Sequence, residues 1–236
     1  MKSILLGTAA LALTAGVALA DTVRLGTEGA YPPYNFINDK GEVDGFEREL
    51  GDELCKRAEL TCEWVTNDWD SIIPNLTSGN YDAIIAGMSI TEEREEVVDF
   101  TQGYTPPSPS AYAAMSSDVD LTGGIIAAQT ATIQANHVVD TGATLVEYPT
   151  PDETIAAVKS GEADAVLADK DYLEPEVEAS DLVFVGDDVP LGGGIGMAFR
   201  ESDDELRGKF DAAITSMKED GSLNELITKW EVGGTW

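Results

Sequence analysis

The chain has 236 residues, of which 44 are acidic and 14 are basic, and its formal net charge at pH 7 is −30. So negative a chain excludes nucleic acid and anionic membrane surfaces as partners, because both would repel it. The charge favours solubility more than ligand steering, and any steering would favour cations over anions.

The first 20 residues predict a secretory signal peptide that is removed on export. Lys2 supplies a positive start, residues 4–20 are apolar and small, and ALA at 18–20 fits a cleavage site before Asp21. Cleavage removes one lysine and no acidic residue, so the charge of −30 becomes −31. No later segment is long and apolar enough to span a bilayer. We therefore expect a soluble, exported protein with enough residues for two modest lobes.

The first elements of the exported chain are a strand, a loop and a helix. Residues 22–26 alternate apolar and polar side chains, which predicts a strand, and the loop at 27–34 contains two prolines. Gly45 opens a helix, and residues 62–65 form the next strand. One helix face carries the apolar residues Phe46, Leu50, Leu54 and Ala58.

The two cysteines, Cys55 and Cys62, are seven residues apart. In an oxidising compartment a disulfide is the default for such a pair. A metal site is the alternative, but two cysteines without a nearby histidine make a poor one. By the chain-entropy model, a disulfide that closes so small a loop stabilises the fold by about 2.5 kcal/mol.

A nine-residue phrase occurs twice, as SGNYDAIIA at 78–86 and as SGEADAVLA at 160–168. Each copy follows a short run of helical periodicity, at 70–76 and at 153–159. Each therefore predicts a helix ended by glycine, then a turn, then an apolar strand. A repeated helix–turn–strand unit with polar groups just past both strands indicates two similar lobes that face one cleft, and hence ligand capture.

The remaining segments complete an α/β pattern. Prolines in residues 102–110 predict a crossing between lobes, and residues 186–194 predict a second one. Capping boxes are predicted to start two helices, at Ser202 with Glu205 and at Ser222 with Glu225. We expect lobe 1 to comprise residues 21–108 and 191–236, and lobe 2 to comprise residues 109–190.

Arg94 follows the first repeated strand and is a candidate for binding a ligand carboxylate. Its planar guanidinium matches a carboxylate in a bidentate manner, and Ser89 offers a backbone N–H and a hydroxyl to the same end of the ligand. The alternative is an ordinary surface pair of Arg94 with Glu92, Glu93 or Asp99, which the spacing alone favours.

Asp169 ends the second repeated strand, where it is either the partner of a ligand ammonium or the N-cap of the next helix. Residues 129–134 follow an apolar strand, and backbone N–H groups at such a helix start bind anions. Thr132 in this segment is equally compatible with a simple cap.

Three further side chains lie in loops at strand ends. Tyr31 and Trp69 are suited to form flat apolar walls for a ligand, and both are equally suited to the core. Glu28 lies two residues past the first strand, where its carboxylate is placed to hold a distal cation of the ligand.

Taken together, these features resemble a known family. The phrases that carry the resemblance are GTEGAYPPYNF at 26–36, GFE at 45–47, DAIIAGMSIT at 82–91, the stretch 94–100 and DGS at 220–222. They are similar to the periplasmic amino-acid-binding proteins of ABC importers (solute-binding protein family 3), in the lysine/arginine/ornithine, histidine and opine branch. The Cys55–Cys62 spacing is also like that branch.

The resemblance implies a type II two-lobe periplasmic binding protein fold, in which each lobe is a central sheet flanked by helices and two hinge crossings join the lobes. It implies a monomeric carrier in the periplasm, without cofactor or metal, that delivers an α-amino acid to a membrane ABC permease. The expected ligand is arginine, lysine, ornithine, histidine or an opine, bound in the cleft as the lobes close.

Transferred residue by residue, the resemblance assigns the ligand carboxylate to Arg94 with the N–H groups of Ser89 and Thr132. It assigns the ammonium to Asp169, the Ser89 hydroxyl and the Gly87 carbonyl.

The resemblance further implies that Tyr31 and Trp69 sandwich the ligand side chain, and that Glu28 binds its distal cation. Two departures concern the pocket: Ala86 stands where the branch often has a serine, and Ile133 stands where a polar residue is common. These departures bear on the identity of the ligand and leave the class of protein as expected.

Two other functions remain as alternatives. Secreted dehydratases acting on prephenate or arogenate resemble this scaffold with an acid in the cleft, and Glu28 is placed to be such an acid. A cyclic dicarboxylate substrate would require several cationic side chains in the cleft, whereas only Arg94 is expected in the cleft. A sensory ligand-binding domain is the second alternative, although such domains usually lie in longer chains.

Overall fold

A computed structural model describes residues 22–236, and the predicted signal peptide at 1–20 lies outside the described residues. The helices of this part of the chain are α1 (Phe46–Arg57), α2 (Ile72–Thr77), α3 (Glu92–Glu95), α4 (Ile133–Thr141), α5 (Pro151–Ser160), α6 (Lys170–Glu178), α7 (Asp204–Glu219) and α8 (Ser222–Trp230). The strands are β1 (Val23–Thr27), β2 (Ala30–Tyr31), β3 (Asn35–Ile37), β4 (Val43–Asp44), β5 (Cys62–Thr66), β6 (Ala83–Ile84), β7 (Asp99–Phe100), β8 (Ser110–Ala114), β9 (Ile125–Gln129), β10 (Thr144–Tyr148), β11 (Ala165–Asp169), β12 (Val183–Val189) and β13 (Ala198–Phe199).

Two five-stranded sheets form the centres of two lobes. The sheet of lobe 1 has the order β5-β1-β6-β13-β7, and the sheet of lobe 2 has the order β10-β9-β11-β8-β12. In each sheet the first three strands are parallel and the fourth and fifth are joined by antiparallel pairing. Helices α1, α7 and α8 pack together in lobe 1, and α4, α5 and α6 pack on the sheet of lobe 2. The predicted α/β fold with two sheet-centred lobes is confirmed.

The repeated phrase occupies the same place in both sheets. Its strands β6 and β11 are each third in order and are each parallel to the second strand. The preceding helices are α2 and α5, and glycines with positive φ follow them, Gly79 at +81° and Gly161 at +80°. The sequence repeat therefore corresponds to a structural repeat, and residues just past β6 and β11 meet at the cleft.

The helix predicted at Gly45 is α1, and three of the four residues of its predicted apolar face are buried, while Ala58 caps the end of the helix and is half-buried. Phe46, Leu50 and Leu54 are completely inaccessible to solvent, and burial of each stabilises the fold by about 1.5–3 kcal/mol. Gly45 adopts a φ of +116°, and a Cβ there would stand 2.6 Å from the carbonyl oxygen of Tyr34. Glycine is therefore required where the chain turns into this helix.

The predicted disulfide between Cys55 and Cys62 is present, with 6.3 Å between the two Cα atoms. It joins α1 to the start of β5. Since β5 is the edge strand of the lobe 1 sheet, the bond fixes that edge to the helix that covers the sheet.

The two capping boxes predicted near the end of the sequence are wrong. The N-cap of α7 is Asp203, and the N-cap of α8 is Gly221, so Ser202 precedes its helix by two residues and Ser222 is already helical. The Ser202 hydroxyl instead donates to the side chain of Asp203. Gly221 has a φ of +83°, and this conformation ends one helix and starts the next without a side-chain cap.

The chain passes between the sheets twice, through residues 101–109 and 190–197. The second crossing begins later than predicted, because β12 continues to Val189 with an irregularity after Val185. The crossings meet at Ile195, which forms isolated antiparallel bridges with Thr105 and with Ser89. This pairing brings the hinge beside the loop that follows β6. No helix within residues 22–236 has the length and apolar character that a membrane span requires.

Candidate functional site

A cavity lies between the lobes at the strand ends. All eight residues predicted as ligand-binding line it, namely Glu28, Tyr31, Trp69, Gly87, Ser89, Arg94, Thr132 and Asp169. The other lining residues are Ala86, Gln129, Ile133, Gln134, Pro151, Thr154, Leu167 and Ala168. The structure thus brings together side chains that are up to 141 positions apart in the sequence (from 28 to 169).

Arg94 enters the cavity from α3. Its Nη1 donates to the carbonyl oxygen of Ser89 at 2.8 Å, and its Cζ lies 5.4 Å from the centroid of the Trp69 ring. Within residues 22–236 it has no carboxylate partner inside 4 Å, so the expected surface pairs do not form; Asp99 lies 3.8 Å from Arg207 instead. Burial lowers the pKa of Arg94 to about 10, and nearby carboxylates oppose that shift. Arg94 is therefore a charged donor at neutral pH that remains available to a carboxylate.

Asp169 occupies the N-cap position of α6, but its side chain makes no capping hydrogen bond. One oxygen, Oδ2, accepts from the Tyr31 hydroxyl at 2.7 Å, and Oδ1 accepts from Gln134 Nε2 at 2.8 Å. Burial raises the pKa of the Asp169 carboxyl, whereas the Tyr31 hydrogen bond and the charge of Arg94 lower it. The side chain therefore faces the cavity and its position is fixed by donors from both lobes, which suits an ammonium partner.

Glu28 provides a second carboxylate. Its Oε1 accepts from Nε2 of Gln129 at 2.6 Å, and the same amide nitrogen donates to the carbonyl oxygen of Pro149 at 3.1 Å. Burial raises the pKa of Glu28 to about 7, the Gln129 hydrogen bond opposes the rise, and the charges of Asp68 and Asp152 add to it. A carboxyl with this pKa changes protonation near neutral pH and would be held ionised by a cation.

The two aromatic residues lie on the cavity wall and also make bonds across the cleft. The ring of Tyr31 stacks on Tyr172 with 4.5 Å between centroids and 9° between planes. The indole Nε1 of Trp69 donates to the carbonyl oxygen of Ala131 at 3.2 Å. Both Tyr31 and Trp69 are nevertheless more than nine-tenths buried. Each of the two residues therefore both lines the cavity and belongs to the buried core, which combines the two alternatives that the sequence left open.

The two backbone positions of the predicted site are held by neighbours. The N–H of Gly87 donates at 2.6 Å to Glu47, a carboxylate that is fully buried in α1. Thr132 caps α4, because its Oγ1 accepts from the N–H of Ala135 at 3.1 Å, and its hydroxyl donates to the Gln129 carbonyl at 2.7 Å. The alternative of a simple cap is therefore correct for the Thr132 side chain.

Sequence reasoning missed residues that support the site without any motif of their own. Gln134 was not singled out, although its amide holds Asp169 and also donates to the hydroxyl of Ser110 at 2.9 Å. Glu47 appeared only as part of a family phrase. The available signal was polarity at buried positions: Gln134 stands two residues after a helix cap, and Glu47 lies on the buried face of α1.

The arrangement defines a class of protein. Two lobes with the same sheet order enclose a cavity in which one cation without a carboxylate partner faces two carboxylates. This is a ligand-capture cleft between lobes. The chain belongs to the bacterial extracellular solute-binding proteins, family 3, which it matches over residues 23–233.

Relatives agree with this assignment. An L-arginine-binding protein of Pseudomonas aeruginosa is 34% identical over 248 aligned positions, which cover 97% of this chain and 96% of the relative. A crystal structure of a periplasmic His/Glu/Gln/Arg/opine family-binding protein from Silicibacter pomeroyi in complex with lysine is 74% identical. It covers 91% of this chain and 100% of its own, with a TM-score of 0.89.

A further solved structure bears on the enzymatic alternative. It is an ancestral amino acid-binding protein described as a precursor of cyclohexadienyl dehydratase, 28% identical, with a TM-score of 0.81, and it covers 89% of this chain and 94% of its own. Even this neighbour is thus described as a binding protein. The function of a solute-binding protein is supported over the dehydratase alternative.

Proposed function

We propose that the protein captures a free α-amino acid with a cationic side chain, lysine or arginine, and delivers it to a membrane ABC permease. The observation that carries the proposal is the charge pattern of the cavity. Arg94 is a cation without a carboxylate partner among the described residues, and Asp169 and Glu28 are carboxylates on the same cavity. A ligand with one carboxylate and two cationic groups complements this pattern.

The α-carboxylate would bind the guanidinium of Arg94, with help from the backbone N–H groups of Ser89 and Thr132. The α-ammonium would bind Asp169, the hydroxyl of Ser89 and the carbonyl oxygen of Gly87. The hydrogen bond from the Gly87 N–H to a buried carboxylate supports this role, because it fixes the peptide that precedes Gly87 and so restricts the orientation of the residue that carries the carbonyl.

The ligand side chain would lie between Tyr31 and Trp69 and end at Glu28. A flexible aliphatic stem gains from apolar walls, and its terminal cation gains from the carboxylate. The named ligands of the relatives support this orientation, since one relative is an arginine-binding protein and one solved neighbour contains lysine.

The described structure has the contacts expected of closed lobes. Three hydrogen bonds join the lobes at the cavity, from Tyr31 to Asp169, from Gln129 to Glu28 and from Trp69 to the backbone of residue 131.

We place the boundaries of lobe 1 at residues 21–108 with 191–236 and those of lobe 2 at residues 109–190. We also propose that the carrier is a monomer in the periplasm after removal of residues 1–20.

A thermal-shift screen against the protein amino acids, ornithine, citrulline and opines tests the proposal. A ligand at about 100 times its Kd stabilises the fold by about 2.7 kcal/mol, which is an easily measured shift in Tm. We expect the largest shifts with arginine and lysine, smaller shifts with glutamine, and none with aspartate. Absence of a shift with every amino acid would contradict the proposal.

We further propose that the protein is not an enzyme. Among the residues of the described chain that line the cavity, Arg94 is the sole lysine or arginine, whereas a cyclic dicarboxylate needs several cations. Incubation with prephenate, followed by detection of phenylpyruvate, is expected to show no turnover. Product formation that Glu28→Gln abolishes would establish the dehydratase function instead.

A further inference from the structure

A second, smaller cavity adjoins the main one at its ammonium end. Ser89 and Asp169 line both cavities, so the two spaces share a wall. The other residues that line the second cavity are Tyr34, Ser108, Asp171 and, in the second hinge crossing, Leu191, Gly194 and Ile195. A group attached to the α-nitrogen of a bound amino acid would therefore extend past Asp169 into this space.

The second cavity is acidic. Of the described residues that line it, the charged ones are Asp169 and Asp171. The neighbouring cation, Lys170, is engaged elsewhere, because its Nζ pairs with Asp188 at 2.7 Å and lies 5.7 Å from the centroid of the Phe184 ring. The carboxylate of Asp171 is held in place by the hydroxyl of Tyr34, which donates to Oδ2 at 3.0 Å from a fully buried ring.

We propose that Asp171 is a specificity-determining residue that excludes amino acids whose α-nitrogen carries an anionic substituent, the opines. This inference rests on the proposed function, in which Asp169 receives the α-nitrogen. The second carboxylate of an opine would lie beside two carboxylates, in a space whose described lining residues include no lysine or arginine. The Tyr34 hydroxyl there is already used by Asp171, which leaves the neutral hydroxyls of Ser89 and Ser108 as side-chain donors. A buried charge next to like charges and without a cation is strongly disfavoured.

The test uses three ligands that differ only at the α-nitrogen: arginine, Nα-methylarginine and octopine, which carries a carboxyethyl group. Calorimetry on the wild-type protein is expected to show octopine at least about 100-fold weaker than arginine. Nα-methylarginine adds bulk without charge, and its affinity is expected to fall less, relative to arginine, than the affinity of octopine does. In the Asp171→Asn variant, the ratio of the affinity for arginine to the affinity for octopine is expected to fall by at least about tenfold. The control variant Asp187→Asn, on the exposed part of β12, is expected to leave that ratio unchanged.

Several outcomes overturn the inference. Octopine that binds the wild-type protein as tightly as arginine, a methyl group that is rejected as strongly as the carboxyethyl group, or an unchanged ratio in Asp171→Asn would each do so. The first two comparisons need no variant and stand even where the substitution unfolds the protein. Failure of arginine and lysine to bind at all would refute the proposed function itself, whereas binding of arginine together with equal binding of octopine refutes only the role of Asp171.

Discussion

Gln129 donates a hydrogen bond from Nε2 to Oε1 of Glu28 over 2.6 Å, and this bond connects strand β9 of lobe 2 to the loop after β1 in lobe 1. The two residues are 101 positions apart in the chain. The bond forms only when the lobes are together, and it fixes the Glu28 carboxylate at the far end of the cavity from Asp169 in our proposed orientation. In the proposed function, ligand binding, lobe closure and the protonation of Glu28 are therefore coupled.

Substitution of Glu28 should separate cationic from neutral ligands. We expect Glu28→Gln to weaken the binding of lysine and arginine by about 2–3 kcal/mol, roughly 30- to 150-fold in affinity, because a buried cation loses its carboxylate partner. Binding of glutamine should change far less. Calorimetry with the three ligands measures the effect, with the exposed Glu42→Gln as the matched control. Equal losses for all three ligands would show that Glu28 does not contact the ligand side chain.

The affinity for lysine should depend on pH. Because burial raises the pKa of Glu28 to about 7, and a bound cation favours the ionised carboxylate, lysine must displace a proton at lower pH. The affinity should therefore fall by about tenfold per unit below pH 7 and level off above it. Titrations from pH 5.5 to 8.5 check this, and near pH 7 about half a proton should be released per lysine bound. A flat profile for lysine, like the one expected for glutamine, would contradict the mechanism.

Removal of the guanidinium should abolish recognition of every amino acid. Arg94→Ala is expected to weaken the binding of arginine, lysine and glutamine alike by at least about 100-fold, because each ligand has the same α-carboxylate. Arg94→Lys should recover only part of the affinity, since an ammonium lacks the planar fork. Arg48→Ala, which removes a surface pair with Asp52, is the control and should bind normally. Retention of affinity in Arg94→Ala would refute the assignment of the carboxylate end.

Glu47 should affect both stability and binding. Its carboxylate is fully buried and accepts hydrogen bonds from the Gly87 N–H, from Asn35 Nδ2 and from the Tyr104 hydroxyl. Glu47→Ala leaves three buried donors without a partner, so we expect a loss of about 3 kcal/mol in the free energy of unfolding. The affinity should also fall, because the peptide at Gly87 is no longer held.

Urea unfolding and calorimetry on the same samples check this prediction. Asp52→Ala, on the exposed side of the same helix, should cost less than about 1 kcal/mol. A Glu47→Ala protein of normal stability would show that the buried carboxylate is replaceable, and normal affinity in that variant would show that Gly87 is positioned by other contacts.

The sequence by itself was sufficient for the architecture and for eight of the residues that line the cavity. The repeated phrase predicted two equivalent units, and β6 and β11 indeed occupy the same position in two sheets of the same order. Residues just past such strands meet at one edge because the neighbouring strands are parallel, which made Arg94 and Asp169 candidates, although spacing alone favoured a surface ion pair for Arg94 and left Asp169 equally suited to a helix cap. The amphipathic face of α1 and the cysteine pair were equally local signals.

Local signals failed where two conformations satisfied the same pattern. Ser202 and Ser222 fitted a capping box, but the helices start at neighbouring residues because Asp203 and Gly221 take the cap positions. Asp169 fitted an N-cap and occupies that position, yet its carboxylate turns to donors from both lobes. Spacing cannot distinguish these outcomes, because the adjacent residues Asp203 and Gly221 compete for the two cap positions. The Tyr31 donor to Asp169 instead lies 138 positions away in the chain.

What only the tertiary structure decided is which polar groups pair across the cleft. Tyr31 and Asp169 are 138 positions apart, and Glu28 and Gln129 are 101 positions apart. No periodicity relates such residues, because their contact depends on the packing of one complete lobe against the other. The sequence indicated eight of the residues that reach the cavity. Packing of the lobes determined that Arg94 has no carboxylate partner among the described residues, while Glu28 and Asp169 are held by neutral donors.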